Sequence, residues 1–130
     1  MKFADIVKSA DWKSEKHVPV IEAPTKASAG EKIVVAVSVG KEIAHPNTTE
    51  HHIRWIRLCF KPDTGNVYDL GLFEFNAHGE STEGANKGPV YVEPSAQVVV
   101  KLNSSGTLLA AAYCNIHGLW ESSKDISIGE

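Results

Sequence analysis

Short runs rich in β-branched and aromatic residues recur along this chain, separated by turn-forming clusters. The apolar pattern marks β segments at Ile33 to Val39, His52 to Phe60, Val67 to Phe75, Val90 to Val92, Gln97 to Leu102, Thr107 to Cys114 and Ile126 to Ile128. Between them lie Ala29-Gly30, Pro62-Asp63-Thr64-Gly65-Asn66, the stretch from Gly84 to Pro89, and Asn103-Ser104-Ser105-Gly106, all of turn chemistry. Helical spacing occurs only at the start, where Phe3, Ile6, Val7 and Ala10 predict a short N-terminal helix. About seven strands at such intervals predict an all-β, immunoglobulin-like antiparallel barrel or sandwich. Such a scaffold hosts many chemistries, so function has to be sought in its loops.

Composition narrows the setting. A chain of 130 residues, 42% apolar and 22% charged, has the size and balance of one globular domain, expected here over residues 1–130. No internal repeat, low-complexity tract or linker divides it. No apolar run approaches the ~20 residues of a membrane span, and the start lacks the apolar core and cleavage site of a secretory signal, so a cytoplasmic protein is expected. The formal charge of −3, with scattered basic residues, speaks against a nucleic-acid surface. Of the two cysteines, Cys59 lies in a strand-like run and reads as a small buried hydrophobe, whereas Cys114 opens a C-x-x-H motif.

Five of the six histidines fall in three short segments: Glu15-Lys16-His17-Val18-Pro19, His45-Pro46-Asn47-Thr48-Thr49-Glu50-His51-His52, and Cys114-Asn115-Ile116-His117-Gly118. A histidine taken alone is more often a surface or satisfied core residue. Their coincidence with C-x-x-H in so small a domain points to one mononuclear metal centre. The three-residue step from Cys114 to His117 lets a tight turn aim both side chains at one ion. Pro46 biases His45 towards an extended conformation, and Asn47, Thr48 and Thr49 supply the turn that returns the chain to the same point. His51 and His52 are adjacent and point to opposite faces, so only one of them is a ready ligand. A regular strand would place Glu15 and His17 on one face and Lys16 on the other; all three reach one metal only from an irregular loop. His78 reads as a loop hydrogen-bonder, and Trp12, Trp55 and Trp120 as core or interface residues, with Trp120 near enough to His117 to shield the metal from one side.

The donor set selects the metal. Four imidazoles and a thiolate exceed the four ligands of a structural zinc site. Blue copper takes two histidines, a cysteine and a weak axial methionine, but Met1 is the only methionine. Iron with one exchangeable position fits better, and a thiolate that pushes electron density through it is a redox design. A non-catalytic electron-transfer module of cupredoxin type is the alternative reading.

The three segments closely resemble signatures of the superoxide reductases, the neelaredoxin and desulfoferrodoxin family: EKHVPVIE at Glu15 to Glu22, KEIPHPNTTEHHIRWI at Lys41 to Ile56 and YCNIHGLWE at Tyr113 to Glu121. Similarity continues through FNAHGES at Phe75 to Ser81 and VYVEP at Val90 to Pro94, nearly the whole chain. Ala44 stands where the family usually has proline, a departure that touches local loop stiffness. The resemblance implies an immunoglobulin-like barrel and one non-haem iron, with His17, His45, His51 and His117 equatorial and Cys114 axial, and it selects His51 over His52. It further implies Glu15 as a sixth ligand of the ferric state, Lys16 as the cation beside the open site, a rubredoxin donor and a homotetramer. Since the chain lacks the four-cysteine iron domain of desulfoferrodoxins, it is similar to the one-iron neelaredoxin type. The implied reaction converts superoxide, one electron and two protons to hydrogen peroxide without releasing dioxygen. Backbone N–H groups of the Asn115 to His117 turn are expected to hydrogen-bond the thiolate and weaken its push.

Overall fold

The computed structural model describes residues 1–130. After one helical turn, α1 (Phe3–Ile6), come nine strands: β1 (Lys8–Ser9), β2 (Pro19–Glu22), β3 (Lys26–Ser28), β4 (Lys32–Val39), β5 (Ile53–Pro62), β6 (Tyr68–Glu74), β7 (Ser95–Lys101), β8 (Gly106–Cys114) and β9 (Gly118–Gly129). They form two sheets. The larger runs β1-β9-β8-β5-β6, with β3 also on β9, and the smaller runs β2-β4-β7. The sheets face each other across one apolar cluster. Val35, Val37 and Val39 of β4 meet Ile56, Leu58 and Phe60 of β5 and Leu108, Ala110 and Ala112 of β8 there. Burial alternates along β4, β5 and β8, as period two requires when one face of each strand meets the core.

The all-β sandwich follows the expectation, and its details differ in five respects. There are nine strands instead of about seven, because Lys8–Ser9 and Lys26–Ser28 are mostly polar and Pro19–Glu22 opens on a proline, so none registers as a strand-like run. The sandwich is open: β6 pairs only with β5 and β7 only with β4. Two contacts are parallel, β1 and β3 each pairing with β9. Val90 to Val92, expected as a strand, makes a single bridge between Tyr91 and His78. The N-terminal helix is one turn with no buried residue, so its apolar spacing does not reach the core.

Two features at one end of the large sheet prepare the site. β8 and β9 pair from Gly106↔Ile126 to Cys114↔Gly118, leaving a three-residue turn, Asn115 to His117, at the hairpin tip. Gly118, at φ +85°, accepts the left-handed conformation that closes such a turn. Beside it, the pairing of β5 with β8 slips between Ile53 and Trp55, a β-bulge at Arg54. Bulges of this kind re-aim the end of a strand, and here the strand end is the one that follows His51 and His52. The core carries the stability: truncating fully buried Ile56 to alanine is expected to cost about 3 kcal/mol. Exposed Val99→Ala should stay within about 0.5 kcal/mol of the parent. Urea unfolding of both variants checks the pair.

Candidate metal centre

Each of the three histidine segments arrives by a different local device. Residues 11–17 are a turn, with the Ser14 and Glu15 N–H groups both donating to the Asp11 carbonyl, so His17 enters from an irregular loop. After β4 the chain doubles back at Gly40, φ +93°, where a Cβ would lie 2.8 Å from the His45 backbone nitrogen. A larger residue there would push His45 out of place. The loop then closes on itself, the Thr48 N–H donating to the His51 carbonyl at 2.9 Å and the His51 N–H to Thr48 Oγ1 at 3.0 Å. The hairpin tip supplies Cys114 and His117.

Together these loops build a ring of four imidazoles. In cyclic order His17, His45, His51 and His117 have neighbouring centroids 4.6–5.0 Å apart and tilted by 49–83°, while His17 and His51 face each other at 6.4 Å. Donor atoms of His17, His45, His51 and Cys114 all lie within 4.8 Å of one another. His117 joins through Nδ1, which is 3.1 Å from His17 Nε2, 3.2 Å from His51 Nε2 and 3.9 Å from Cys114 Sγ. Two nitrogens at right angles around one ion, each ~2.1 Å from it, would be ~3.0 Å apart, so the His117 contacts have the spacing of adjacent ligands. Cys114, fully buried, forms the floor, and His117 lies on the exposed side.

Hydrogen bonds decide which nitrogen each ring offers. Glu15 Oε1 accepts from His17 Nδ1–H at 2.7 Å and from the His17 backbone N–H at 3.0 Å, leaving the Nε2 lone pair free for the centre. The Pro46 carbonyl accepts from His45 Nδ1–H at 2.6 Å. His45 Nε2 is then buried with no hydrogen-bond partner. A buried nitrogen lone pair without a partner is costly, and a bound cation is what would satisfy it. Burial, opposed by the Pro46 carbonyl and aided by the charges of His17, His51 and Lys16, pushes the His45 pKa down to about 4. His51 is lowered chiefly by burial, then by His117, His17 and Lys16. Hydrogen bonds from His17 lower Glu15. Both shifts favour His45 and His51 as neutral imidazoles, the form that binds metal.

Among the sequence candidates, His17, His45, His51, Cys114 and His117 are brought together. Glu15 is beside them, but its carboxylate bonds His17. His52 points away: its ring stacks on His78 at 3.6 Å and 5°, and Nδ1–H donates to the Thr48 carbonyl. His78 is a buried loop hydrogen-bonder, facing Asn47 Oδ1 and the Phe75 carbonyl. The turn supplies one N–H to the sulfur, from His117 at 3.4 Å. Trp120 shields the centre more directly than its neighbourhood to His117 implied. Its indole stacks on His17 at 5.0 Å and 15°, donates to the His117 carbonyl, and carries Lys8 Nζ over its ring. Sequence reading missed Gly40, Asn86 and the side chain of Asn115. Glycine and asparagine are default turn residues, and nothing in the pattern distinguishes these from any other turn.

The family model described as Desulfoferrodoxin matches residues 9–123. The chain is 54% identical over 129 residues to the neelaredoxin of Megalodesulfovibrio gigas, covering 98% of this chain and 99% of that one. It is 56% identical over 120 residues to the superoxide reductase of Pyrococcus furiosus, covering 92% and 94%. Among solved structures, the reduced form of the superoxide reductase (neelaredoxin) from Archaeoglobus fulgidus superposes with a TM-score of 0.87 at 51% identity, covering 94% of this chain and 98% of that one.

A neutral-in-the-fold His45 has a consequence for the metal-free protein. Its folded pKa lies below the unfolded value of 6.5, so the unfolded chain takes up its proton first as pH falls. Stability should be full above about pH 6.5 and decline between there and about 4. Urea midpoints of the metal-free protein across this range should show the decline, and His45→Gln should flatten it.

Proposed function

This chain belongs to the desulfoferrodoxin family, and from that premise we propose that His17, His45, His51, Cys114 and His117 hold one iron per chain at which superoxide is reduced to hydrogen peroxide. The enzyme is an oxidoreductase acting on superoxide. The observation that carries the ligand set is the convergence of four imidazoles on a buried sulfur, with His45 Nε2 buried and unpartnered. Iron held by these residues would supply the one-electron couple that reduction of superoxide requires.

The chain's own residues account for the rest. Four neutral imidazoles and one thiolate leave a divalent cation with a net charge of +1, a target for an anion. Lys16 adds to it: its charge is felt at His45, His51 and Glu15. Local potentials of this kind raise anion association by ~10- to 1000-fold even when the whole molecule is acidic, as here. Glu15 and the Pro46 carbonyl hold His17 and His45 in the tautomer that offers Nε2. The His117 N–H on Cys114 Sγ draws charge from the sulfur. The exposed His117 side admits water, the source of the two protons that peroxide requires. Glu15 can serve as a further ligand in the oxidised state only by leaving His17 Nδ1, which couples that role to the hold on His17.

An electron-transfer module of cupredoxin type is disfavoured, because Met1 is fully exposed at the N-terminus and unavailable as an axial ligand. The proposal extends to a one-iron, neelaredoxin-type domain, supported by near-complete mutual coverage with that relative. A rubredoxin donor, by resemblance, and a reducing cytoplasmic setting, in keeping with two free thiols, complete the assignment. No helix is long and apolar enough to cross a membrane. A homotetramer is proposed as well. Its subunits would have an apolar groove of about 540 Å³ to cover, lined by Phe3, Val7, Trp55, Ala111, Tyr113 and Leu119.

Two measurements test this reading. Iron-loaded protein should show a sulfur-to-iron charge-transfer band in the oxidised state that Cys114→Ser abolishes; a band surviving that substitution would remove Cys114 from the ligand set. Lys16→Ala should slow the second-order reaction with superoxide by roughly tenfold and flatten its dependence on ionic strength. Rapid-mixing rates between low and high salt check this, and unchanged rates would contradict the steering role.

A further inference from the structure

We infer that Asn115 is a positioning residue of the metal centre, whose side-chain amide grips the backbone on both sides of His51 and so sets that imidazole against Cys114. The inference rests on the ligand set proposed above and adds to it a group that touches neither metal nor substrate. Asn115 Oδ1 accepts from the His52 N–H at 2.9 Å, and Asn115 Nδ2 donates to the Glu50 carbonyl at 2.8 Å. Its own backbone N–H donates to the His52 carbonyl at 3.2 Å. These three bonds tie the segment carrying Cys114 and His117 to the one carrying His51. The amide orientation is dictated by its partners: reversed, it would set an NH2 against an N–H and an oxygen against a carbonyl.

The need for such a grip comes from the sheet. Regular pairing of β5 with β8 ends at Ile53↔Cys114, next to the bulge at Arg54. Beyond that rung β8 turns away into the hairpin tip, and the peptide groups flanking His51 would lose their inward partners. The Asn115 side chain replaces the missing rung. From the other side Asn86, at φ +62°, holds the preceding residues, its Oδ1 accepting from the Thr49 N–H and its Nδ2 donating to the Glu50 carboxylate. The outer grip acts on Thr49 and the Glu50 side chain. Thr48 bonds the same two peptide groups from within the loop, through the His51 N–H and carbonyl, whereas Asn115 bonds them from the segment that carries Cys114 and His117.

The test uses the full chain loaded with iron, comparing Asn115→Ala and Asn115→Asp with Val100→Ala, a half-buried β7 residue on the opposite sheet. Wild type that takes up iron and shows the charge-transfer band establishes the ligand reading itself; failure at that step is separate from failure of the variants. Asn115→Ala is expected to hold iron ~10- to 100-fold less tightly against a competing chelator, with a shifted band. Asn115→Asp keeps the acceptor for His52 and loses the donor to Glu50. Its added negative charge would by itself favour the cation, so a lower affinity there reports lost geometry. Val100→Ala should lower the melting temperature and leave affinity and band unchanged. Wild-type affinity and band in a folded Asn115 variant would overturn the inference. So would an affinity loss that Val100→Ala reproduces at the same melting temperature. If the alanine variant does not fold, the near-isosteric aspartate variant decides alone.

Discussion

The sulfur of Cys114 is brought to the buried end of a central strand, and everything around it answers to that placement. A thiolate out of water is tolerated only beside compensating positive charge and hydrogen-bond donors. The fold provides a donor in the His117 N–H. It surrounds the remaining direction with four imidazoles, of which His45 and His51 have their protonation opposed by burial and by neighbouring charges. A cluster of neutral lone pairs above a sulfur, one of them buried without a partner, is poorly satisfied by itself and well satisfied by a cation. The floor is rigid because it belongs to a sheet. The walls are loops, so their precision has to come from hydrogen bonds.

Those bonds form a second layer with a consistent logic. Acceptors behind His17 and His45 choose the coordinating nitrogen, and the stack of Trp120 on His17 closes one flank. The His51 loop is held at its base by the stacked pair of His52 and His78, and above it by Asn86. Redox and affinity at such a centre are tuned as much by these partners as by the ligands. His117 is the exposed member of the set, with His45 and His51 half-buried and His17 buried, so a small anion and water can arrive past His117.

Much of this was legible in the sequence, for reasons that can be named. The ligand segments stand out because C-x-x-H and clustered histidines are rare enough to need a reason, and each sits next to residues with evident turn chemistry. Strands β4, β5 and β8 are readable because one face of each is buried, which imposes period two. Strand β9 is a contrasting case. Only Ile126 to Ile128 was marked, although the strand begins at Gly118, because Glu121, Ser122, Ser123, Lys124 and Asp125 carry little strand preference and are held by pairing with β8. Val90 to Val92 looks like a strand but finds only one bridge, between Tyr91 and His78, since its surroundings are loops. The Asn115 grip was invisible, because an asparagine in a turn needs no further explanation until its two partners are seen to flank a ligand.

The most direct test of the central claim is the stoichiometry of the reaction. Reduced, iron-loaded protein exposed to a limited pulse of superoxide, with peroxide and dioxygen measured together, should yield one hydrogen peroxide for each superoxide consumed and no dioxygen. Dioxygen released in half the amount of superoxide consumed would instead show dismutation and contradict the account.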